Sequence, residues 1–492
     1  MKKKIFTLVL AVTLLAVMLS TVSLATEANN SAEKTRLEAI ANGKKEMHPH
    51  PEADWLDWFH NPAPWLEMGA DFRFRTITAR NIDTLDEDPA GRGNKWNFQR
   101  YRSRWWTKSK LSDDVDFNTR MVWEFRTWDE PARKPQHTDF DEIIFDRLNF
   151  TMRNLFDMPL TGVFGRQDII LGKGWLMLDG TPLDGSRTIF TDAARLTYDW
   201  TETDTKIDMI YIDMAASAAR WLKPINDRNH SLTEQDEYGA ILYVTNKSLE
   251  NTQLEGYVMY KNDNPVDQTP KNFPPTWSRK AEIFTFGGAA SGDIDKNWNY
   301  RAEGAIQTGQ KDDTSGDSHD LQAYGATTRL NYNFNDICKN NLHIGYEYLS
   351  GNDPSTDDDE QFDPLWGEWP QWSELYVYTY SRETAIGETT NLHRAYIGHS
   401  FKPAPKWTLN TDYHLLWADE SPRKGTSVGT DSFTYSNSGD FRGQLLTCWA
   451  KYKFSKQLKG HLLAEYLIPG NYYDRGNRSH AYFLRFNVEY TF

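Results

Sequence analysis

The stretch RSHAYFLRFNVEYTF, residues 478–492, decides how the chain is read. Tyr482, Leu484, Phe486, Val488, Tyr490 and Phe492 are apolar or aromatic at every second place, and Arg485, Asn487, Glu489 and Thr491 stand between them. A period of two is the mark of a strand with one greasy and one wet face. Such a strand suits a soluble sandwich as well as a barrel, so the choice falls to the other residues.

A final strand that closes on Phe resembles the assembly signal of outer-membrane β-barrels, which implies the barrel-assembly machinery as a partner. The opposite end agrees. MKKKIFTLVLAVTLLAVMLSTVSLA, residues 1–25, has a basic head at Lys2–Lys4, an apolar stretch from Ile5 and a small-x-small end at Ser23-Leu24-Ala25. It reads as a secretory signal peptide cleaved after Ala25, with no cysteine following to carry a lipid anchor. Residues 26–64, polar and then tryptophan-rich, read as a periplasmic extension or a plug across a barrel floor. The barrel itself is assigned to residues 65–492.

Mean hydropathy is −0.70, and no later segment approaches the apolar length of a membrane helix. A barrel escapes that exclusion, because its lipid face takes only alternate residues. Aromatic residues make up 14% of the chain, including 19 Trp, which suits girdles at two membrane interfaces. The formal net charge of −14 argues against nucleic acid as a partner.

Along the chain, apolar alternation predicts eighteen strands, near 66–80, 96–110, 115–128, 143–153, 161–169, 193–200, 206–213, 237–245, 253–261, 281–290, 297–308, 321–334, 341–350, 391–401, 407–417, 440–454, 458–468 and 481–492. The connections alternate. SDD, NLFDMPL, TETD, NKSLEN, SGDIDKN, FNDICKN, KPAPK and SKQ are short, whereas NIDTLDEDPAGRGNK, EPARKPQHTDF, LGKGWLMLDGTPLDGSRTIF and the stretch around 351–390 are long. Strict alternation with an even strand count predicts an all-β, transmembrane, antiparallel up-and-down barrel in the outer membrane, with short periplasmic turns and long extracellular loops. A monomer is expected.

Charge assigns the faces. A basic side chain facing lipid at mid-membrane costs about 2–4 kcal/mol, so a strand with several basic residues on one parity turns that parity inward. This directs Arg73 and Arg75 of DFRFR to the lumen, then Arg100, Arg102 and Arg104, then Arg120 and Arg126, then Arg147 and Arg153; Arg166 and Arg195 follow the same logic. An acidic protein thus carries an arginine-lined wall in its first six strands, with its excess acid in connections such as DTLDED and DPSTDDDEQFD. A guanidinium is a fixed cation with a planar fork of donors matched to carboxylates. An anion- or polyanion-selective pore is the functional reading. Arg–Glu pairing across an ordinary porin wall is the alternative.

DFRFR, GRQDIILG, DGTPLDGSRTIFTDAARLTYD, AEGAIQTGQ, EYLSGND and FDPLWG, in that order, resemble the alginate-export family of outer-membrane barrels. The resemblance implies an 18-stranded barrel that passes a carboxylate-bearing polysaccharide through an arginine-rich constriction, with a periplasmic export scaffold as a possible partner. It implies that Arg166 and Arg195 join Arg73 and Arg75 there. One feature departs from the family: the late periplasmic loop that helps occlude the pore is reduced here to about SKQLK, which puts gating by such a loop in question.

Other readings are weighed on the same residues. Asp353, Ser355, Asp357, Asp358, Asp359 and Glu360 read as a solvated acidic loop rather than a calcium site, since no Gly stands at the turn position of an EF-hand. His48, His50 and His60 lack regular metal-ligand spacing. No metal or other cofactor is expected, nor a functional role for Cys338 or Cys448. No G-x-S-x-G elbow is present, and Asp412 with His414 is the best candidate dyad, so the chain is read as a channel and not an enzyme. The open functional alternatives are export of an anionic, uronate-type polysaccharide or oligosaccharide, diffusion of small organic anions or nutrients, and an outer-membrane enzyme or adhesin. The orientation is testable: cysteines placed near Asp357 should react with an impermeant reagent on intact cells and cysteines near Asn335 should not, and the reverse pattern would invert the barrel.

Overall fold

In the computed structural model, residues 51–82, 85, 87, 95–130, 142–179, 190–217, 220–227, 235–266, 279–313, 315–367, 370–376, 390–421, 436 and 439–492 are described. The expected signal peptide lies outside them. A helix α1 (Pro51–His60) comes first, with Pro51 at its start, where a missing N–H costs nothing.

Eighteen strands follow: β1 (Leu66–Arg80), β2 (Lys95–Lys110), β3 (Val115–Glu130), β4 (Ile143–Met152), β5 (Leu160–Gln167), β6 (Thr191–Trp200), β7 (Thr205–Met214), β8 (Gln235–Leu249), β9 (Thr252–Pro265), β10 (Ala281–Asp293), β11 (Trp298–Asp312), β12 (Ser318–Asn333), β13 (Asn341–Leu349), β14 (Leu392–Phe401), β15 (Trp407–Trp417), β16 (Phe441–Lys453), β17 (Leu458–Pro469) and β18 (Ala481–Thr491). Each pairs antiparallel with its chain neighbours, and β18 pairs with β1, so one 18-stranded sheet closes on itself. Closure leaves no edge of unpaired backbone groups, which hydrocarbon does not tolerate.

The alternation sets the two faces. Phe72, Phe74, Trp105, Trp123, Phe150, Leu484 and Phe486 are exposed on the outer wall, whereas Arg73, Arg75, Arg100, Arg102, Glu124, Arg485 and Asn487 are buried within. The eighteen predicted strands are all present, and the first has the predicted bounds. The strands β8, β9, β11 and β12 run past their predicted ends. The polar arms around Gln235–Pro265 and Asp312–Ser318 continue the ladder, because a hairpin in water pairs its backbone without needing an apolar face.

The opening stretch is the closing seam. Phe492 N–H donates to the Ala70 carbonyl at 2.9 Å, and Ala70 N–H to the Phe492 carbonyl at 2.7 Å. The Phe492 ring lies 5.7 Å from Phe72, 6.2 Å from Trp105 and 5.6 Å from Tyr490. Deleting Phe492 should therefore lower membrane yield and weaken heat-modifiable migration. Phe492→Ala, which keeps the backbone pair, should do less harm, and equal, normal yields for both would deny the residue a role in closure.

Candidate functional site

Four neighbouring strands, β18, β1, β2 and β3, build the inward surface richest in arginine. Register arranges their side chains in rows. Nearest the short turns, Asp71 stands beside Arg104. The next row is Glu489, Arg73, Arg102, Glu124, and the next Asn487, Arg75, Arg100, Arg126. Above them come Arg485, Ile77, Phe98 and Trp128. Seven arginines thus face three carboxylates, Asp71, Glu124 and Glu489.

The pairing is dense. Arg102 bonds Asp71 at 3.1 Å and approaches Glu489 at 3.5 Å; Arg104 bonds Asp71 at 2.7 Å. Arg100 and Arg73 share Glu124, the latter at 3.5 Å. Arg75 donates to Asn487 at 2.7 Å. The Arg126 guanidinium lies 5.6 Å from the Phe98 ring and 5.3 Å from the Trp128 ring, within cation–π range. Even so, buried Arg102 keeps Nε and Nη1 without a hydrogen-bond partner among the described residues. Asp71 and Glu124 each serve two guanidiniums, and Glu489 serves Arg102 and, at 2.9 Å, Lys459, so the surface retains excess positive charge in a low-dielectric wall, where fields are focused rather than screened.

The remaining arginines sit in pairs of their own. Arg120 bonds Asp146 at 2.8 Å and grips Asp168 with both Nη atoms, at 3.0 and 2.9 Å; Arg147 bonds Asp168 at 2.6 Å. Arg153 pairs with Asp116, and Arg195 with Asp208 at 2.8 Å. Asp146 is the extra residue of a bulge, since Arg120 aligns with Arg147 but Met121 with Phe145. Strict period two would have placed Asp146 on lipid; that implausible placement was the available signal for the bulge.

Arg166 corrects the expectation that it gathers with Arg73 and Arg75. It aligns with Leu148 and Asp192, on the parity of outward Phe164, after Gly165 at φ +115. Its partners are Asp192 at 2.9 Å and the Phe190 ring at 3.6 Å. Arg195, on β6, is likewise separated from the wall by β4 and β5. Arg485 joins the wall instead, and its place between outward Leu484 and Phe486 made it readable from the alternation.

Two long connections turn into the barrel, which the sequence did not announce. β5 is only 8 residues long, and the chain leaves the wall there. The connection after β5 and the one after β13 bridge each other, with Trp366 N–H donating to the Leu176 carbonyl at 3.1 Å and Leu178 N–H to the Trp366 carbonyl at 3.3 Å. Leu171, Leu176, Met177, Phe362, Leu365, Trp366, Leu375 and Tyr376 are buried there. Each connection then sends a carboxylate to one side of the arginine wall: Asp168 reaches Arg120 and Arg147, and Glu374 reaches Arg485 at 2.9 Å. Glu465 accepts from Ser373 Oγ at 2.6 Å and from the backbone of Glu374 and Leu375 at 3.0 and 2.7 Å.

The facing wall is mixed. Lys261 lies between Glu237 and Asp263, and Arg301 between Glu255 and Glu303. The proposed Asp412–His414 dyad is not made. Asp412 instead bonds His343 Nε2 at 2.5 Å across the intervening strand, over Gly398, where a Cβ would collide with both. His414 lies against Arg394 and the Trp372 ring. His48 and His50 are outside the described residues, and His60 ends α1.

Burial pushes the Asp168 carboxyl up, but Arg120 and Arg147 outweigh it and hold the group below the usual carboxylate range. A depressed folded-state value means that its anchoring is intact above the unfolded value of about 3.9 and is lost as pH falls below it. Asp168→Asn should therefore free the connection at neutral pH, raising open-channel current noise, while the native chain should show such noise only below about pH 4. Quiet currents from the variant at pH 7 would deny the anchor.

A family model described as alginate export matches residues 64–485. Among solved structures, the barrel is similar to three from Pseudomonas aeruginosa. OccK8 (OprE) matches at 12% identity and a TM-score of 0.50, covering 87% of this chain and 98% of that one. OpdQ matches at 12% and 0.49 with the same coverage. OccK11 (OpdR) matches at 10% and 0.49, covering 86% and 95%. Identities this low speak for the fold alone. No match was found among the curated proteins.

Proposed function

The chain belongs to the alginate-export family and is an outer-membrane channel, and on that premise we propose that its cargo is an anionic, uronate-type polysaccharide or oligosaccharide, passed outward. The observation that carries this reading is the surface of seven arginines against three carboxylates on β18, β1, β2 and β3. Successive guanidinium rows can hand a chain of carboxylates from one fork to the next, because every arginine stays charged at any working pH. Shared counter-charges keep each contact weak enough to release, as conduction requires. The aromatic layer of Phe98 and Trp128 above the arginines offers flat apolar faces for sugar rings.

In this reading the short turns lie in the periplasm and the long loops outside. The barrel works as a monomer, is inserted by the barrel-assembly machinery, and receives its polymer from a periplasmic scaffold. The residues assigned to the path are Arg73, Arg75, Arg100, Arg102, Arg104, Arg126 and Arg485, while Arg120, Arg147, Arg153, Arg166 and Arg195 serve to hold the wall and its inward loops. Diffusion of small organic anions is the rival. Two observations favour it: the connections after β5 and β13 narrow the lumen, and the turn between β16 and β17 is short.

Neutralising the wall tests the reading. Arg75→Gln with Arg126→Gln removes two cations and leaves the outward Phe74 and Phe125 in place. In planar bilayers under a salt gradient, the anion-to-cation permeability ratio should fall several-fold at low salt. The difference should fade at 1 M, where the screening length is about 3 Å. A wild type that prefers cations at low salt, or a variant with unchanged selectivity, would refute it.

A further inference from the structure

We propose that α1 is an interfacial anchor: it rides on the outside of the barrel at the short-turn rim, across the β1–β18 seam, and inserts Trp58 into the zwitterionic headgroup layer of the adjoining leaflet. The placement follows from one ring contact. Phe59 lies 5.2 Å from Phe492. Phe492 in turn packs on Phe72 and Trp105, both exposed on the outer wall. A helix that meets this aromatic group stands on the lipid side of the strands, not within the lumen. Residues 51–60 are therefore no plug.

The link to the barrel is held. Leu66 N–H donates to the Ala63 carbonyl at 3.0 Å, and Lys110 N–H to the Trp65 carbonyl at 2.7 Å. The helix cannot drift far from the rim. Around it, Trp58 is 68% and Trp65 55% exposed. Two open indoles beside an aromatic belt form a continuation of the lipid-facing surface, and lipid is the occupant that this surface already has. Indole rings concentrate at the headgroup level, and a helix with one aromatic face can lie in that plane.

The charge of α1 narrows the lipid. PEADWLDWFH carries Glu52, Asp54 and Asp57 and no lysine or arginine. Most helices of this kind add attraction to anionic lipid through basic residues; α1 cannot. Its binding comes from aromatic burial, so it should be indifferent to salt and weakened by anionic lipid. By fastening Phe59 to Phe492, lipid insertion of α1 also clamps the last strand to the first.

The test uses the full-length barrel in vesicles, with Cys338→Ser and Cys448→Ser. A nitroxide is placed at Asp57→Cys, which keeps every aromatic residue, and separately at Trp58→Cys. Power saturation compares collision with oxygen and with a water-soluble nickel chelate. In phosphatidylcholine–phosphatidylethanolamine vesicles, the label at 58 should favour oxygen, and the label at 57 should report the headgroup layer. Phe59→Ala should raise chelate access at 57 several-fold, 1 M salt should change little, and one-third anionic lipid should raise chelate access. Chelate access at 57 equal to that of a label at Asp336 in a turn would overturn the proposal. So would label–label broadening, which would identify a second copy as the occupant, or oxygen preference that grows with anionic lipid.

Discussion

Everything in this molecule rests on the pairing of β18 with β1. A transmembrane sheet has no water to satisfy an open edge, and each unmet backbone group in hydrocarbon costs several kcal/mol. Seventeen other strand pairs could be perfect and the fold would still fail if the last edge stayed open. The seam is therefore reinforced where the chain ends: backbone bonds between Ala70 and Phe492, then rings of Phe72, Trp105 and Tyr490 around the terminal phenylalanine. The same register that closes the barrel aligns Glu489 with Arg73 and Asn487 with Arg75. Closure and charge surface are one arrangement seen from two sides.

The arginines are costly to bury, and the wall handles that cost unevenly. Beside β3 and β4, Arg120, Arg147 and Arg153 each have a carboxylate near to hand, and Asp168 is gripped by two of them. On β18, β1 and β2 a carboxylate is divided among several guanidiniums. Pairing of the first kind holds structure together; breaking such a buried pair is destabilising by about 3–5 kcal/mol. Sharing of the second kind leaves donors in reserve. That contrast separates residues that shape the lumen from those that can meet an anionic solute.

Much of this was legible in the sequence because the physics is local. Alternation between Tyr482 and Phe492 fixes faces residue by residue, and lipid's intolerance of charge fixes which face is inside. For Arg73, Arg75, Arg100, Arg102, Arg120 and Arg126, all buried, and for Arg104, bonded to buried Asp71, that argument suffices. It fails where the period breaks. The bulge at Asp146 and the positive φ of Gly165 shift parity within one residue, so the alternation does not carry Arg166 to the same wall as Arg73 and Arg75. The inward turn of the connections after β5 and β13 depends on contacts between residues far apart in the chain, such as Trp366 with Leu176 and Glu374 with Arg485. No local pattern encodes those meetings. The membership of Arg485 is local, since it stands between outward Leu484 and Phe486.

The central claim is that the shared-carboxylate arginine surface recognises a chain of carboxylates. Single-channel recording in dilute salt, with uronate oligomers and neutral hexose oligomers of equal length added from the short-turn side, tests it most directly. The account predicts brief, voltage-dependent blockades by the uronates that lengthen with chain length, and few from the neutral sugars. Equal blockade by both, or none by the uronates in a conducting channel, would contradict it.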